Sequence, residues 1–387
     1  MLEPLGQSQV LSYLNHLSLS TRIHLISFEK REDLSNIEER LRVREAILAA
    51  GIVWYPLQYH RLPTGLATFW DILCGTLLGL WLTHRYCIEI IHVRSYVPAV
   101  IALVLQWVFK IKFLFDMRGF WADEKVDGGL WQRNGIFYKV TKRFERRFLL
   151  SADHVVSLTN AAVAEIQKFP YLRGRTPPIS VIPTCADLSR FAPKSYKKSS
   201  CSGDFVLGYV GSIGTYYMFE HVISCFIQLR HVRPSARLLI VNRGQHHEIR
   251  DILTLADVPE ESVELTSSTH NSIPQMIARM DAGIFFIKPV FSKRASAPTK
   301  LAEFLGCGIP CLSNTGVGDL TEVLEGENVG VALRSFDTDS VRAGLAELLA
   351  LVDNPEISER CTAVAQRYFS LSSGVEKYQR IYDLLSD

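Results

Sequence analysis

The 387-residue chain is 48% hydrophobic and 21% charged, enough apolar material for two cores of roughly 100–200 residues each. Its 42 Lys and Arg against 40 Asp and Glu leave a net charge of +2, which argues against bulk attraction to nucleic acid and requires any anion site to come from local arrangement. Eight cysteines without a CxxC pair imply neither zinc nor a disulfide framework, and Cys307 and Cys311 around the turn GIP read as core packing.

The N-terminus MLEPLGQSQV lacks the basic and apolar regions of a secretory signal, so the expected location is cytoplasmic. Next come RIHLISFE, IEERLRVREAILAAG, VWYPL, a helix over 66–84, IEIIHVR, a helix over 97–109 and IKFLFDMRG. Short strands that are apolar on both faces, separated by segments of helix length, predict parallel βαβ units and a doubly wound sheet. DHVVSL and ISVIP continue it. The apolar stretches 66–83 and 96–109 are expected to be buried helices, because a membrane span needs about 20 mostly apolar residues; the second is too short and Asp71 interrupts the first.

PKSYKKSSCSGD, polar and poor in apolar residues, reads as a linker over 193–204. The second series runs FVLGYVGSIG, ARLLIVN, SVELTS, DAGIFFI, IPCLSN and VGVAL. The expected organisation is α/β, two tandem Rossmann-like domains: 1–192, then 205–370, with 371–387 a C-terminal helix packing back on the first. Open α/β sheets bind ligands beyond the carboxyl ends of their strands, so the expected site is the interdomain cleft.

After the strand DAGIFFI, the segment SKRASAPTKLAEFLGCG is a basic loop leading into a helix. Ser296 is a possible N-cap, and Pro298 suits the first turn. Free helix amides with Lys293, Arg294 and Lys300 nearby predict a phosphate or diphosphate guest. Glu303, one turn deeper and on the flank of Lys300, is suited to accept hydrogen bonds from the vicinal hydroxyls of a ribose. A surface Lys–Glu pair on a half-exposed helix is the competing explanation.

PTKLAEFLGCGIPCLSN resembles the C-terminal donor-binding motif of the retaining GT-B-fold glycosyltransferases of group 1, and EPLGQSQVLSYL, ISVIPTCADLSRF and GYVGSIG resemble further segments of that family in the same order. The resemblance implies a GT-B architecture and retaining, metal-independent transfer of a sugar from a nucleotide-sugar donor, with no cofactor. It implies that Glu303 grips the donor's ribose and that Ser296, Pro298, Thr299 and Lys300 surround its diphosphate and sugar. Gly6, with Gln7 and Ser8, would approach the phosphates from the facing domain, and Gly211 and Ser212 from below. Where many relatives carry cations after this second glycine, Ser212 and the run Tyr216-Tyr217-Met218 stand here. Arg243, Lys293, Arg294 and Lys300 are then the candidates for charge on the leaving group. Ala295 occupies the position of the family's paired acid, which leaves the donor sugar open.

FDMRGFWADEKVDGG resembles a loop of some members of the family. Asp116, Arg118 and Lys300 are the catalytic candidates. Trp121 and Glu124, an aromatic ring with a carboxylate, suit sugar recognition, and His92 and Arg94 are placed on the acceptor side. An Arg–Asp network closing this loop, and a hydrogen-bonded core histidine at 92, are the competing explanations. The basic, aromatic helix LWQRNGIFYKVTKRFERRFLLS clusters Lys139, Lys142, Arg143, Arg146 and Arg147. It suits peripheral contact with a membrane's inner face and a lipid-linked or other glycan acceptor in polysaccharide or lipopolysaccharide-type synthesis; a solvated helix face is the bland alternative.

The family's first strand has no counterpart, because only Met1 to Pro4 precede the glycine segment. The first domain is therefore expected to lack its N-terminal strand, or the natural start to lie upstream. No regular strand should precede Gly6, and the sheet should be gapped between RIHLISF and IEIIHV. Two further functions stay open: a non-catalytic nucleotide-sugar-binding or partner subunit, and a nucleotide-sugar epimerase of the same fold.

Overall fold

Short β-branched and aromatic runs bounded by turn residues form parallel strands in a computed structural model, which describes residues 1–193, 204–269 and 272–386. One unit comprises 1–126, 131–182 and 371–387, and the other 127–130 and 183–370. Of the expected linker, only Pro193 and Asp204 fall within the described residues.

The first unit contains β1 (His24–Glu29), β2 (Val53–Gln58), β3 (Ile90–Arg94), β4 (Lys112–Asp116), β5 (His154–Ser157) and β6 (Ile179–Val181). They do not form one sheet: β1 pairs with β2, whereas β3-β4-β5-β6 form a separate four-stranded parallel sheet. The gap expected between RIHLISF and IEIIHV is therefore present. Residues Pro4–Leu17 are helical, through Pro4–Gly6, a π-helical turn Gln7–Leu11 and Ser12–Leu17. This corrects the expected glycine loop, since Gly6 has ordinary helical angles, φ −63° and ψ −41°. Leu11, Tyr13, Leu14 and Leu17 of this segment are buried. The Leu2 amide donates to Glu29 at the end of β1 (3.1 Å), and Arg94 at the end of β3 donates to the Gln9 carbonyl. Backbone from the N-terminal segment thus engages the ends of both strands beside the gap.

Helix Tyr96–Phe109 joins β3 to β4 and packs on helix Thr64–Tyr86. Gly75 and Gly79 permit this contact: a Cβ at Gly75 would lie 2.6 Å from Ile101, and one at Gly79 2.9 Å from Leu105. The expectation that residues 66–83 are buried fails on the opposite face, where Leu66, Phe69, Trp70, Leu73, Leu77 and Trp81 are exposed. A helix that is apolar all round offers no pattern by which to choose its inward face; here the glycines choose it. Helix Leu371–Ser386 lies in the first unit, where Tyr13 packs edge-on to Tyr378.

The second unit contains β7 (Val206–Val210), β8 (Arg237–Val241), β9 (Val263–Thr266), β10 (Ala282–Ile284), β11 (Cys311–Asn314) and β12 (Gly330–Leu333). Their order is β12-β11-β10-β7-β8-β9, all parallel. The chain winds one way from β7 and the other way from β10, so the topological switch point lies between these two strands. Helix Thr299–Gly306 is seated against β10 because Gly283 lacks a Cβ, which would stand 2.8 Å from the Phe304 ring. Of the described cysteines, Cys185, Cys225, Cys307, Cys311 and Cys361 are buried, Cys74 is partly buried and Cys87 is exposed.

Candidate functional site

In the second unit, the loops that leave β7 and β10 flank the switch point. The first turns sharply at Gly211, whose φ of +119° lies in the region that favours glycine. Side chains from the end of β8 hold it: Asn242 donates to the Gly211 carbonyl (2.9 Å), and Gln245 both accepts from the Ile213 amide (2.9 Å) and donates to its carbonyl (3.1 Å). The second loop is fixed by Asn314, which exchanges hydrogen bonds with the Ile287 amide and carbonyl (2.9 Å each). Tyr217 bridges the two segments, pairing with Gly214 on one side and Ile287 on the other.

Into this frame helix Thr299–Gly306 delivers Lys300. The side chain is buried, and its Nζ has no hydrogen-bond partner. The ammonium lies 3.9 Å from the Tyr217 ring centroid, 5.0 Å from Tyr209 and 5.5 Å from Phe285. A Cβ on Gly211 would stand 3.1 Å from the same nitrogen. Burial lowers the Lys300 pKa to about 7, against the opposing field of Glu303. Glu303 is half-buried, and desolvation raises its carboxyl to about 7, against the opposing fields of Lys300 and Arg190. Among the described residues Glu303 forms no ion pair. A buried amine and a carboxyl that lack full partners mark this end of the sheet as the candidate ligand site.

The other residues predicted for this site divide between the loops and the solvent. The side chain of Lys293 is buried, its ammonium 3.6 Å from the centroid of Tyr216. The run Tyr216-Tyr217 thus receives two lysines, Lys293 from the loop after β10 and Lys300 from the helix that follows it. Ser212, Arg243 and Arg294 are exposed, and Ser296, Pro298 and Thr299 are half-buried. Ser296 does not cap the helix, a correction: Pro298 occupies the N-cap, and the Ser296 amide closes a 3-10 turn by donating to the Lys293 carbonyl (3.1 Å). Ala295 is buried.

A second cluster lies in the first unit, at the carboxyl ends of β3 and β4. Asp116 is buried, accepts from the Tyr378 hydroxyl (3.1 Å) and lies 3.8 Å from Arg94; its Oδ1 has no hydrogen-bond partner. His92 Nδ1 lies 2.8 Å from the Tyr382 hydroxyl, and burial drives the imidazole pKa down to about 4, so the ring is neutral at pH 7. Arg118 holds a left-handed φ of +61°, the kind of backbone strain that recurs at functional sites. Sequence reasoning missed Tyr378 and Tyr382, whose partners lie 262 and 290 residues away.

The remaining predictions fall elsewhere. Trp121 packs against Trp131 and Tyr96 with centroids 5.2 and 5.7 Å away, and Lys125 lies over its ring at 5.7 Å. Glu124 is half-buried in helix Trp121–Asp127. The Gln7 amide group donates to Glu39 (3.0 Å). Lys142 does not belong to the basic surface: it is bound to Asp123 (3.0 Å) and Glu145, while Tyr96 donates to Glu145 (2.6 Å). The described residues contain no group of three or more His, Cys, Asp or Glu able to hold a metal ion.

Residues 22–185 match the family described as Glycosyl transferase 4-like domain, and residues 204–351 the family described as Glycosyl transferases group 1. No curated protein matches in sequence. Among solved structures the chain is similar to sucrose-phosphate synthase from Thermosynechococcus elongatus, with a TM-score of 0.71 and 16% identity over 94% of this chain and 99% of that one. A glycosyltransferase from Rickettsia africae gives 0.71 and 14% over 97% and 94%. HepE of Anabaena in complex with UDP and glucose gives 0.65 and 12% over 97% and 95%. With matches to glycosyltransferase families in both halves and a parallel α/β arrangement in each unit, doubly wound in the second, the chain is a GT-B-fold glycosyltransferase related to the group 1 enzymes.

Proposed function

We propose that the protein transfers a sugar from a nucleoside diphosphate sugar to a glycan or lipid-linked saccharide with retention of configuration, the donor being held by the second unit. The observation that carries this reading is the buried, unpartnered Lys300 ammonium facing a glycine that leaves its approach open. A diphosphate supplies the missing anionic partner. Glu303, one turn further along the helix, accepts from the ribose hydroxyls. The segment Ser296–Thr299 surrounds the diphosphate and sugar, and the helix N-terminus adds its partial positive charge.

In transfer, the bond between the anomeric carbon and the diphosphate oxygen breaks, a bond from the acceptor oxygen forms, and the acceptor proton passes to the departing phosphate on the same face. Lys300 stabilises the charge that grows on the leaving group, and it is most effective where water is excluded. On this reading Arg243 and Arg294, both exposed, add charge, whereas Lys293 is engaged with Tyr216. In the first unit, Asp116 and Arg118 bind the acceptor, with Arg94 orienting Asp116. His92, neutral and hydrogen-bonded to Tyr382, is a positioning residue. HepE, solved with UDP and glucose, supports UDP as the first nucleotide to test. The cytoplasmic location is part of the same proposal.

Calorimetry and free-nucleotide release over a panel of nucleotide sugars test the reading. Binding and turnover that both fall at least about tenfold in Glu303→Ala support it; turnover that is insensitive to this change contradicts it.

A further inference from the structure

The exposed face of helix Thr64–Tyr86 has no place in the donor chemistry. Leu66, Phe69, Trp70, Leu73, Leu77 and Trp81 follow a helical period along it, with Phe69 65% exposed. The helix is long and apolar enough to cross a bilayer and is mostly unburied. Its other face is committed to the protein: Gly75 and Gly79 receive Ile101 and Leu105, and buried Asp71 is hydrogen-bonded to His60 through both the ring (2.6 Å) and the backbone amide (3.0 Å). A helix held in this way offers one apolar side to its surroundings.

The face extends sideways. Helix Tyr96–Phe109 packs between helix Thr64–Tyr86 and helix Ile136–Ser151, and it exposes Trp107 by 83%. Between it and helix Ile136–Ser151 lies an open groove of ≈ 450 Å3, lined by Val100, Leu103, Val104, Trp107 and Phe144 together with polar Gln106, Arg147 and Ser151. Helix Ile136–Ser151 itself exposes Ile136, Phe137, Val140 and Phe144 among Lys139, Arg143, Arg146 and Arg147. Its one acid, Glu145, is wholly buried. Among the described residues no ion pair involves Lys139, Arg143 or Arg147.

We infer that these three helices form a docking surface for an anionic lipid bilayer, with the aromatic and aliphatic side chains entering the interface and the arginines of helix Ile136–Ser151 meeting lipid phosphates. Charge selects this occupant over a second copy of the chain. A twofold contact centred on helix Ile136–Ser151 would bring like charges together, whereas an anionic headgroup layer complements them. Trp and Phe beside Arg is also the composition that an amphipathic surface helix uses at a membrane. The inference stands apart from the donor reading, because it uses none of the residues of the second unit.

Flotation of the full-length protein with vesicles tests it, using phosphatidylcholine alone and phosphatidylcholine with phosphatidylglycerol. The expected result is flotation with the mixed vesicles, at least about tenfold weaker with the neutral ones. Two variants, Arg143→Glu/Arg147→Glu and Phe69→Ser/Leu73→Ser/Leu77→Ser, should each lose about tenfold or more in vesicle affinity while keeping the wild-type far-ultraviolet spectrum and UDP affinity. No flotation of the wild type overturns the inference, as does equal binding to neutral vesicles that survives the charge reversal. A wild-type dimer that does not float, and that the triple variant dissociates, also overturns it and assigns the apolar face to a second copy.

Discussion

The Lys300 ammonium lies 3.9 Å from the centre of the Tyr217 ring and has no hydrogen-bond partner. A charge in that setting gains attraction from the ring but loses most of its hydration. The arrangement costs stability in the ligand-free protein, and on the proposed function an anionic ligand relieves that cost.

Lys300→Met is therefore expected to separate stability from binding. Replacing a buried, poorly paired charge with an apolar side chain of similar length is neutral or stabilising by about 1–4 kcal/mol. Thermal unfolding of the ligand-free variant should shift upward or stay unchanged. Its UDP affinity should fall by about tenfold to a hundredfold, the loss expected for one charge-assisted hydrogen bond. Both readouts come from one pair of melting curves, with and without UDP.

Gly211→Ala introduces a Cβ that meets the Lys300 nitrogen at 3.1 Å, at a φ of +119°. The backbone strain costs on the order of 1–3 kcal/mol, and the methyl group occupies the approach to the ammonium. UDP affinity should fall at least about tenfold, measured by calorimetry below the variant's melting temperature.

The two shifted groups give pH dependence of defined sign. Glu303 is raised from 4.5 to about 7, so its contribution to stability is complete below pH 4.5 and is lost as pH rises through 7. Lys300 is lowered from 10.5 to about 7; its contribution is complete above pH 10.5 and is lost as pH falls through 7. Together they place the least stable point near pH 7, in a denaturant series. Binding has the opposite shape. A diphosphate favours charged Lys300, and ribose hydroxyls favour the carboxylate, so UDP affinity should peak near pH 7 and fall on both sides with apparent values belonging to the pair. Calorimetry at pH 8 in buffers of different ionisation enthalpy should show proton uptake in the wild type and none in Lys300→Met.

Lys142→Met tests a structural assignment. The ammonium serves Asp123 and Glu145, both buried. Its removal should cost about 3–5 kcal/mol, because two interior carboxyls lose their cation. Double substitution of Lys142 and Glu145 by Met should recover part of the loss in urea melts.

The strands were legible because runs such as FVLGYV and ARLLIVN are apolar on both faces, as a covered parallel sheet requires. Lys300 and Glu303 were legible from their place on a helix after a strand. The aromatic walls of the site were not. Tyr216 and Tyr217 read as missing cations, yet their rings hold Lys293 of the loop after β10 and Lys300 of the helix that follows it. Such partners meet only when β7 and β10 become neighbours, and no local period encodes that. The exposed stripe on helix Thr64–Tyr86 was hidden for a different reason: an all-apolar helix does not mark which side faces inward, and Gly75 and Gly79 mark it only once Ile101 and Leu105 are known to lie opposite.

The central claim is that the loop at Gly211 and helix Thr299–Gly306 hold a nucleoside diphosphate. A crystal structure with UDP tests this most directly. The account predicts a diphosphate oxygen within hydrogen-bonding distance of Lys300 Nζ beside Gly211, and both ribose hydroxyls on the Glu303 carboxylate. UDP bound elsewhere, with Lys300 still enclosed by Tyr209, Tyr217 and Phe285 and without an anionic partner, would contradict it.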